Sequence, residues 1–221
     1  QIHWERTMKF KSLVAAAALA AATCIGGSVS AATYGTIGPG NDGLAPLGLT
    51  NPLGGYFGGD LYLVGGTADI QATVLGSEAG WNNRFGFYGN VYATGGNTGS
   101  FSVGGVQTFL ATGVAPGLLD FWFGANSPLA SVVNGSNNDN TGSLSNFFVS
   151  FLPTPTATFG QSVLLFFDDA GGGDDDNHDD LIVRLDIVGD GRIAPIPLPA
   201  GGLLLIGALG GLAALRRRKS A

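Results

Sequence analysis

Sulfur and imidazole are scarce in this chain: 221 residues hold one Cys, one Met and two His. With Cys24 alone, no disulfide can close within the chain, and a Cys-rich metal cage is excluded. Basic side chains are scarce where they would matter. Lys and Arg number 10, but only Arg84, Arg184 and Arg192 fall within residues 32–199, which have no lysine. Of the 16 acids only Glu5 lies outside that span, which therefore has a net charge of −12. Nucleic acid is a poor partner for such a surface, because phosphate neutralisation needs clustered Lys and Arg. Charged residues make up only 12 % against 45 % hydrophobic, which excludes charge-driven disorder. The 38 Gly and 10 Pro resist helix interiors, and the glycines keep no three-residue period, so long helices and collagen are both out. What remains is a Gly-rich, loop-rich, mostly β protein.

Both ends read as addresses. Gln1–Thr7 stands upstream of the only methionine and is left out of fold reasoning. Met8, Lys9 and Lys11, the apolar run Leu13–Ala22, and the small residues Ser28-Val29-Ser30-Ala31-Ala32 follow the order of a secretory signal peptide. Residues 8–31 are therefore expected to pass through the Sec machinery and be cut by signal peptidase after Ala31 or Ala32. Thr23 before Cys24 does not suit a lipobox, so Cys24 is expected to leave with the signal.

At the other end, Pro197-Leu198-Pro199-Ala200 leads into the Gly/Leu/Ala run Gly201–Leu215 and then Arg216-Arg217-Arg218-Lys219. As a helix, residues 200–215 would span roughly 24 Å at about 1.5 Å per residue, short for a hydrocarbon core of about 30 Å. Ile193–Leu198 can lengthen it. The basic cluster is expected to stay cytoplasmic, leaving the body outside. An ordinary C-terminal anchor explains the run as well. The order of proline motif, apolar run and terminal arginines over residues 195–219 resembles the PEP-CTERM sorting signal in its VPLPA variant, with Ile196 where Val is usual. That resemblance implies recognition and cleavage near the proline motif by an exosortase-type enzyme. It further implies transient residence in the inner membrane, then transfer to the exopolysaccharide-rich surface of a Gram-negative bacterium.

Between these ends, residues 32–59 read as a Gly/Pro-rich lead-in with no regular ladder over Asn41–Pro52. Residues 60–190 read as the body. Nine short runs bounded by Gly, Asn and Ser predict strands: Asp60–Val64, Ile70–Leu75, Arg84–Tyr92, Ser100–Val103, Gln107–Ala111, Leu118–Gly124, Phe147–Leu152, Val163–Asp168 and Leu181–Val188. Their spacing predicts an all-β, antiparallel β-sandwich or jelly-roll-like body, with a signal peptide before it and a single transmembrane sorting helix after it. Ala125–Ser145 reads as a polar surface loop, and Asn134-Gly135-Ser136 as a turn that also matches a glycosylation sequon.

One segment carries chemistry. Seven aspartates and an asparagine crowd residues 168–180: Asp168, Asp169, Asp174, Asp175, Asp176, Asn177, Asp179 and Asp180. Their mutual repulsion must be screened by water or a cation. Ca2+ takes about 6–8 hard oxygens, which such a loop can supply. Asp175-x-Asn177-x-Asp179 has the ligand spacing of an EF-type loop, but Asp180 stands where that loop needs Gly and Asp186 where it needs Glu, so an EF-hand is excluded. The segment is either a different Ca2+ loop or a solvated acidic turn. His178 reads as an exposed counter-charge among carboxylates. The blocks Phe166–Val183, Ser77–Asn83 and Asn146–Phe151 resemble body segments of PEP-CTERM proteins, a resemblance that implies no activity.

Other motifs fail on context. Gly38-x-Gly40-x-x-Gly43 has no strand clearly before it and Pro46 soon after, so it reads as a loop rather than a dinucleotide site. Catalysis has little to work with: the body has no Lys or Cys, a single His and no carboxylate pair set apart by its surroundings. Two functions fit: a non-enzymatic surface or extracellular-matrix protein associated with exopolysaccharide in a biofilm, or a Ca2+-dependent carbohydrate-binding module. A groove displaying Trp81, Trp122, Tyr88 or Tyr92 would favour the second, and burial of those rings the first.

Overall fold

The structure, a computed structural model, describes residues 32–78, 80–94, 101–103, 107–125, 131–172 and 176–195. The expected signal peptide of residues 8–31, the motif Pro197–Ala200, the apolar run and Arg216–Lys219 lie outside the described residues. Everything described is strand, turn or irregular, and the strands pair antiparallel. Among the described residues no helix is long and apolar enough to cross a membrane.

In chain order the strands are β1 (Thr33–Ile37), β2 (Leu53–Phe57), β3 (Tyr62–Val64), β4 (Ala68–Gly76), β5 (Arg84–Phe87), β6 (Asn90–Ala93) and β7 (Gln107–Val114). There follow β8 (Gly117–Leu118), β9 (Phe121–Gly124), β10 (Ser131–Val133), β11 (Asn146–Leu152), β12 (Ser162–Asp168), β13 (Leu181–Val188) and β14 (Arg192–Ala194). A seven-stranded sheet runs β1-β2-β11-β12-β13-β4-β7, a four-stranded one β10-β9-β5-β6, and a three-stranded one β14-β3-β8.

Strict alternation along β4 sends Ala68, Ile70, Ala72 and Val74 inward. They meet Phe147, Val149 and Phe151 of β11, Val163, Leu165 and Phe167 of β12, and the inward rings Phe85, Phe87, Phe121 and Phe123 of the four-stranded sheet. Phe123 stacks on Phe167 at 5.0 Å between centroids, joining the two sheets through one core. The arrangement is β-sandwich-like.

Strands β11 and β12 do not alternate; they are buried on both faces. Their second face, Phe148, Leu164 and Phe166, packs with Ile182 beneath Ile37, Leu44 and Leu53. Here the lead-in departs from the sequence reading. Residues 32–59 are not loose: β1 and β2 extend the large sheet, and the turn between them lays Leu44 over its outer face. Burying an apolar side chain of that size contributes about 1.5–3 kcal/mol, and Ile37 and Leu53 add to it in offsetting the cost of ordering a Gly/Pro-rich segment. Gly43 lets the turn come that close, because a Cβ there would strike Ile182 Cδ1.

Three smaller differences follow from tertiary contact. Arg84–Tyr92 is two strands, because Tyr88 and Gly89 take φ of 43° and 81° and reverse the chain. Of the expected strand Ser100–Val103, the described residues 101–103 contribute one bridge, Ser102 to Ser77. The expected surface loop 125–145 contains β10, and its Asn134 and Asn137 are buried. Asn134 accepts from Leu61 N at 2.7 Å and donates to Leu61 O at 2.8 Å and Leu119 O at 2.7 Å. It is a stitch between strands rather than an exposed glycosylation acceptor.

Candidate metal centre

Strand β12 ends on Asp168 and β13 begins at Leu181, so the acidic segment caps one pole of the large sheet. Three other stretches close on that pole. Asn41 Nδ2 donates to Asn177 O at 2.7 Å and His178 O at 3.1 Å. Asp42 N donates to Asp179 Oδ2 at 2.5 Å. Asn83 Nδ2 donates to Asp169 Oδ2 at 2.9 Å. Ser145 Oγ donates to Asp169 O at 3.0 Å, and Gly172 N to Gly142 O at 2.9 Å. Gly171, at φ 68°, leaves no room for a Cβ against Leu144 O.

The eight oxygen donors expected from sequence divide into three groups. Asp174 and Asp175 lie outside the described residues. Asp169, Asp179 and Asp180 brace the fold: beside the contacts above, Asp180 Oδ2 accepts from Asp169 N at 2.7 Å. Of the EF-like trio, Asp179 Oδ2 accepts from the Asp42 amide and Asn177 lends its backbone carbonyl to Asn41. Asp168 and Asp176 do come together, and the residue that joins them is His178.

His178 is 1 % exposed, not the surface counter-charge its neighbours in sequence suggested. Its backbone takes φ 59°, turning the ring under Phe57 and Phe148, at 5.5 and 6.2 Å between centroids. Nε2 faces Asn146 Oδ1 at 2.9 Å. Nδ1 lies 3.2 Å from Asp176 Oδ1 and 3.6 Å from Asp168 Oδ2. Donor atoms of these three side chains all fall within 4.8 Å of one another. The other oxygen of Asp168 is occupied: Oδ1 accepts from Ala170 N at 2.8 Å and Gly171 N at 2.6 Å.

Burial dominates the electrostatics. It pushes the Asp168 carboxyl up to about 6, against the opposing pull of His178 and the two amides. Burial, with Asp169, Asp168 and Asp179 close by, pushes Asp180 up to about 9. Asp176 goes the other way, because contact with His178, and the Asn140 amide, favour its ionised form. A pole that resists ionisation on two of its carboxylates is one that a divalent cation would stabilise.

Of the aromatic residues that a sugar site would display, Trp81 is exposed, while Tyr88 and Tyr92 are half-buried against the core. Trp122 lies over Gly86, where a Cβ would strike its indole. The chain matches no family model, no curated protein and no solved structure.

Sequence reasoning found the pole but not its asparagines. Asn41, Asn83, Asn140 and Asn146 reach it from segments up to 137 residues away. Only the density of Asn-Asp-Gly around 134–146 hints at them.

Proposed function

We propose that this is an exported, non-enzymatic surface protein, carried out by its signal peptide. A VPLPA-type tail is then handed to an exosortase-type enzyme, leaving a β-sandwich body of jelly-roll kind in the exopolysaccharide matrix. The observation that carries the reading is the order at the C-terminus: Pro197-Leu198-Pro199-Ala200, the apolar run, then Arg216–Lys219. The body supports it in two ways. Phe85, Phe87, Phe123, Phe147 and Phe167 are spent on the core, and of the four rings a sugar groove would display Trp81 alone is exposed, which favours a structural role over a carbohydrate-binding module. Its acidic pole is suited to a divalent cation, which would lock the polar end of the body outside the cell. Asp168 and Asp176 supply two hard carboxylates, which is part of the oxygen shell that Ca2+ requires; water and Asp174 or Asp175 are the remaining donors within reach in sequence.

Intact-mass measurement of the protein from its native cells tests the reading. The expected product begins at Ala32 or Thr33 and ends near Pro199. A surface form that keeps Arg216–Lys219 in cells with an active sorting enzyme overturns the sorting half.

A further inference from the structure

We infer that His178 is a ligand at this pole, and that Asp168, Asp176 and His178 form a three-residue site for a borderline transition-metal ion, Zn2+ foremost. The inference rests on the reading of the pole as a cation site and changes which cation it selects.

The spacing fits. Zn2+ holds His nitrogen and carboxylate oxygen at about 2.0–2.2 Å, so tetrahedral donors stand about 3.3–3.5 Å apart. Nδ1 to Asp176 Oδ1 is 3.2 Å and Nδ1 to Asp168 Oδ2 is 3.6 Å.

Two of the three donor atoms meet no group outside the trio by hydrogen bond. Nδ1 of His178 and Oδ2 of Asp168 are both buried and make no hydrogen bond, although both residues are almost wholly enclosed, at 1 % and 0 % exposure. A buried polar atom without a partner is costly, and two of them aimed at the same point call for a common ligand.

A second layer holds the ring and the exposed carboxylate in place. Asn146 Nδ2 donates to Asn140 Oδ1 at 2.8 Å, which turns Asn146 Oδ1 toward His178 Nε2. That contact favours a proton on Nε2, so the neutral ring would turn its Nδ1 lone pair to the carboxylates and to a metal ion between them. Asn140 Nδ2 meanwhile donates to both oxygens of Asp176, at 3.0 and 3.1 Å. One amide therefore orients two ligands.

Chemistry then selects the ion. Ca2+ is bound by oxygen and asks for about 6–8 donors, and an imidazole at the centre of the set does not suit it. Zn2+ accepts one imidazole and two carboxylates, with water in a fourth position. Asp176 is 41 % exposed, so the fourth position opens to solvent.

The test uses the full chain stripped with EDTA, melted at pH 7.5 with Zn2+, Ca2+ or Mg2+ at equal concentrations. Co2+ serves as a spectroscopic probe. At a hundredfold excess over Kd, Zn2+ is expected to raise Tm by roughly 5–10 °C. Co2+ is expected to show the visible d–d absorption of a four-coordinate ion. His178→Gln should abolish both signals, while Asp69→Asn, on β4 and outside the ligand set, should keep them. His3, the other histidine, is present in every variant. A Ca2+ shift that His178→Gln leaves intact keeps the cation site and overturns the histidine ligand. No shift with any cation overturns both. Should His178→Gln fail to fold, equilibrium dialysis of the wild-type chain decides. Zn2+ binding at least tenfold tighter than Ca2+ sustains the inference, and Ca2+ binding as tight as Zn2+ overturns it.

Discussion

The amide of Asp169 donates to Asp180 Oδ2 at 2.7 Å across the base of the acidic segment, so the carboxyl that ionises least readily at this pole also ties the segment together. Asp180 titrates near 9 and Asp168 near 6 in the fold, each raised above an ordinary value of 3.8, chiefly by burial. A raised acid binds its proton more tightly folded than unfolded. Its contribution is therefore fully present below about pH 4 and is lost as pH climbs through the folded value. Metal-free protein is expected to lose stability from pH 4 to 6 through Asp168 and Asp180 together, and on toward pH 9 through Asp180 alone. Urea unfolding midpoints at half-unit pH steps check this. A midpoint that rises across pH 5–8 would show both carboxylates ionised and satisfied without a cation.

Replacing the reluctant carboxylate should help the metal-free protein. Asn at position 180 can still accept from Asp169 N through its amide oxygen, and it brings no charge into the buried pole. Asp180→Asn is expected to stabilise the EDTA-treated protein at pH 8 by about 1–2 kcal/mol. It should also flatten the pH dependence from about pH 4 to pH 9. Thermal melts of the two proteins side by side decide it, and an equal or lower Tm for the variant counts against the cost of holding Asp180 protonated as the source of the instability.

Much of the fold was legible in the residues. Leu181–Val188 forms the strand that its apolar run predicts, with those bounds, and the acidic segment stands between β12 and β13 as expected. The covering of the large sheet was less visible. Gly and Pro in residues 38–52 signal a turn, but nothing local says that the turn must lie on Leu164 and Phe166. The uninterrupted run Val163-Leu164-Leu165-Phe166-Phe167 was the available sign, because a strand without alternation needs a cover on both faces. His178 was misread for a similar reason. Its sequence neighbours are aspartates, whereas its burial comes from Phe57 and Phe148, supplied by distant strands. Asparagine stitches are the hardest case. Asn134-Gly135 looks like a turn in any chain, and only contact with Leu61, 73 residues away, makes its amide part of the core.

Asn134 should accordingly behave as a core residue. Asn134→Ala strands Leu61 N and Leu119 O in a buried site, while Leu61 O keeps the Leu119 amide; each unmade bond costs about 1–3 kcal/mol before relaxation. The expected loss is about 2–4 kcal/mol in urea unfolding, as large as for many core truncations. A loss below about 0.5 kcal/mol would mean that water replaces the amide and that the segment is a surface loop after all.

The last prediction concerns the outer face of the four-stranded sheet. Val133, Trp122, Gly86 and Val91 stand opposite one another across β10, β9, β5 and β6. The indole of Trp122 lies in the space that a side chain at Gly86 would fill. Gly86→Ala must therefore lift the indole or bend β5, at a cost of about 1–3 kcal/mol, as for other overpacked sites. Strand propensity alone argues the other way, since Gly in a strand interior is unfavourable relative to Ala. Steric exclusion wins because the indole ring, not its flexible end, meets the new methyl group. Trp122→Ala removes the obstacle, so in that background Gly86→Ala should be neutral or stabilising. The two changes are then strongly non-additive, with a coupling of at least about 1 kcal/mol in a double-mutant cycle. Near-UV circular dichroism should report the displaced indole in the single Gly86→Ala variant. Additive effects of the two substitutions would show that the glycine serves the strand's twist rather than the ring above it.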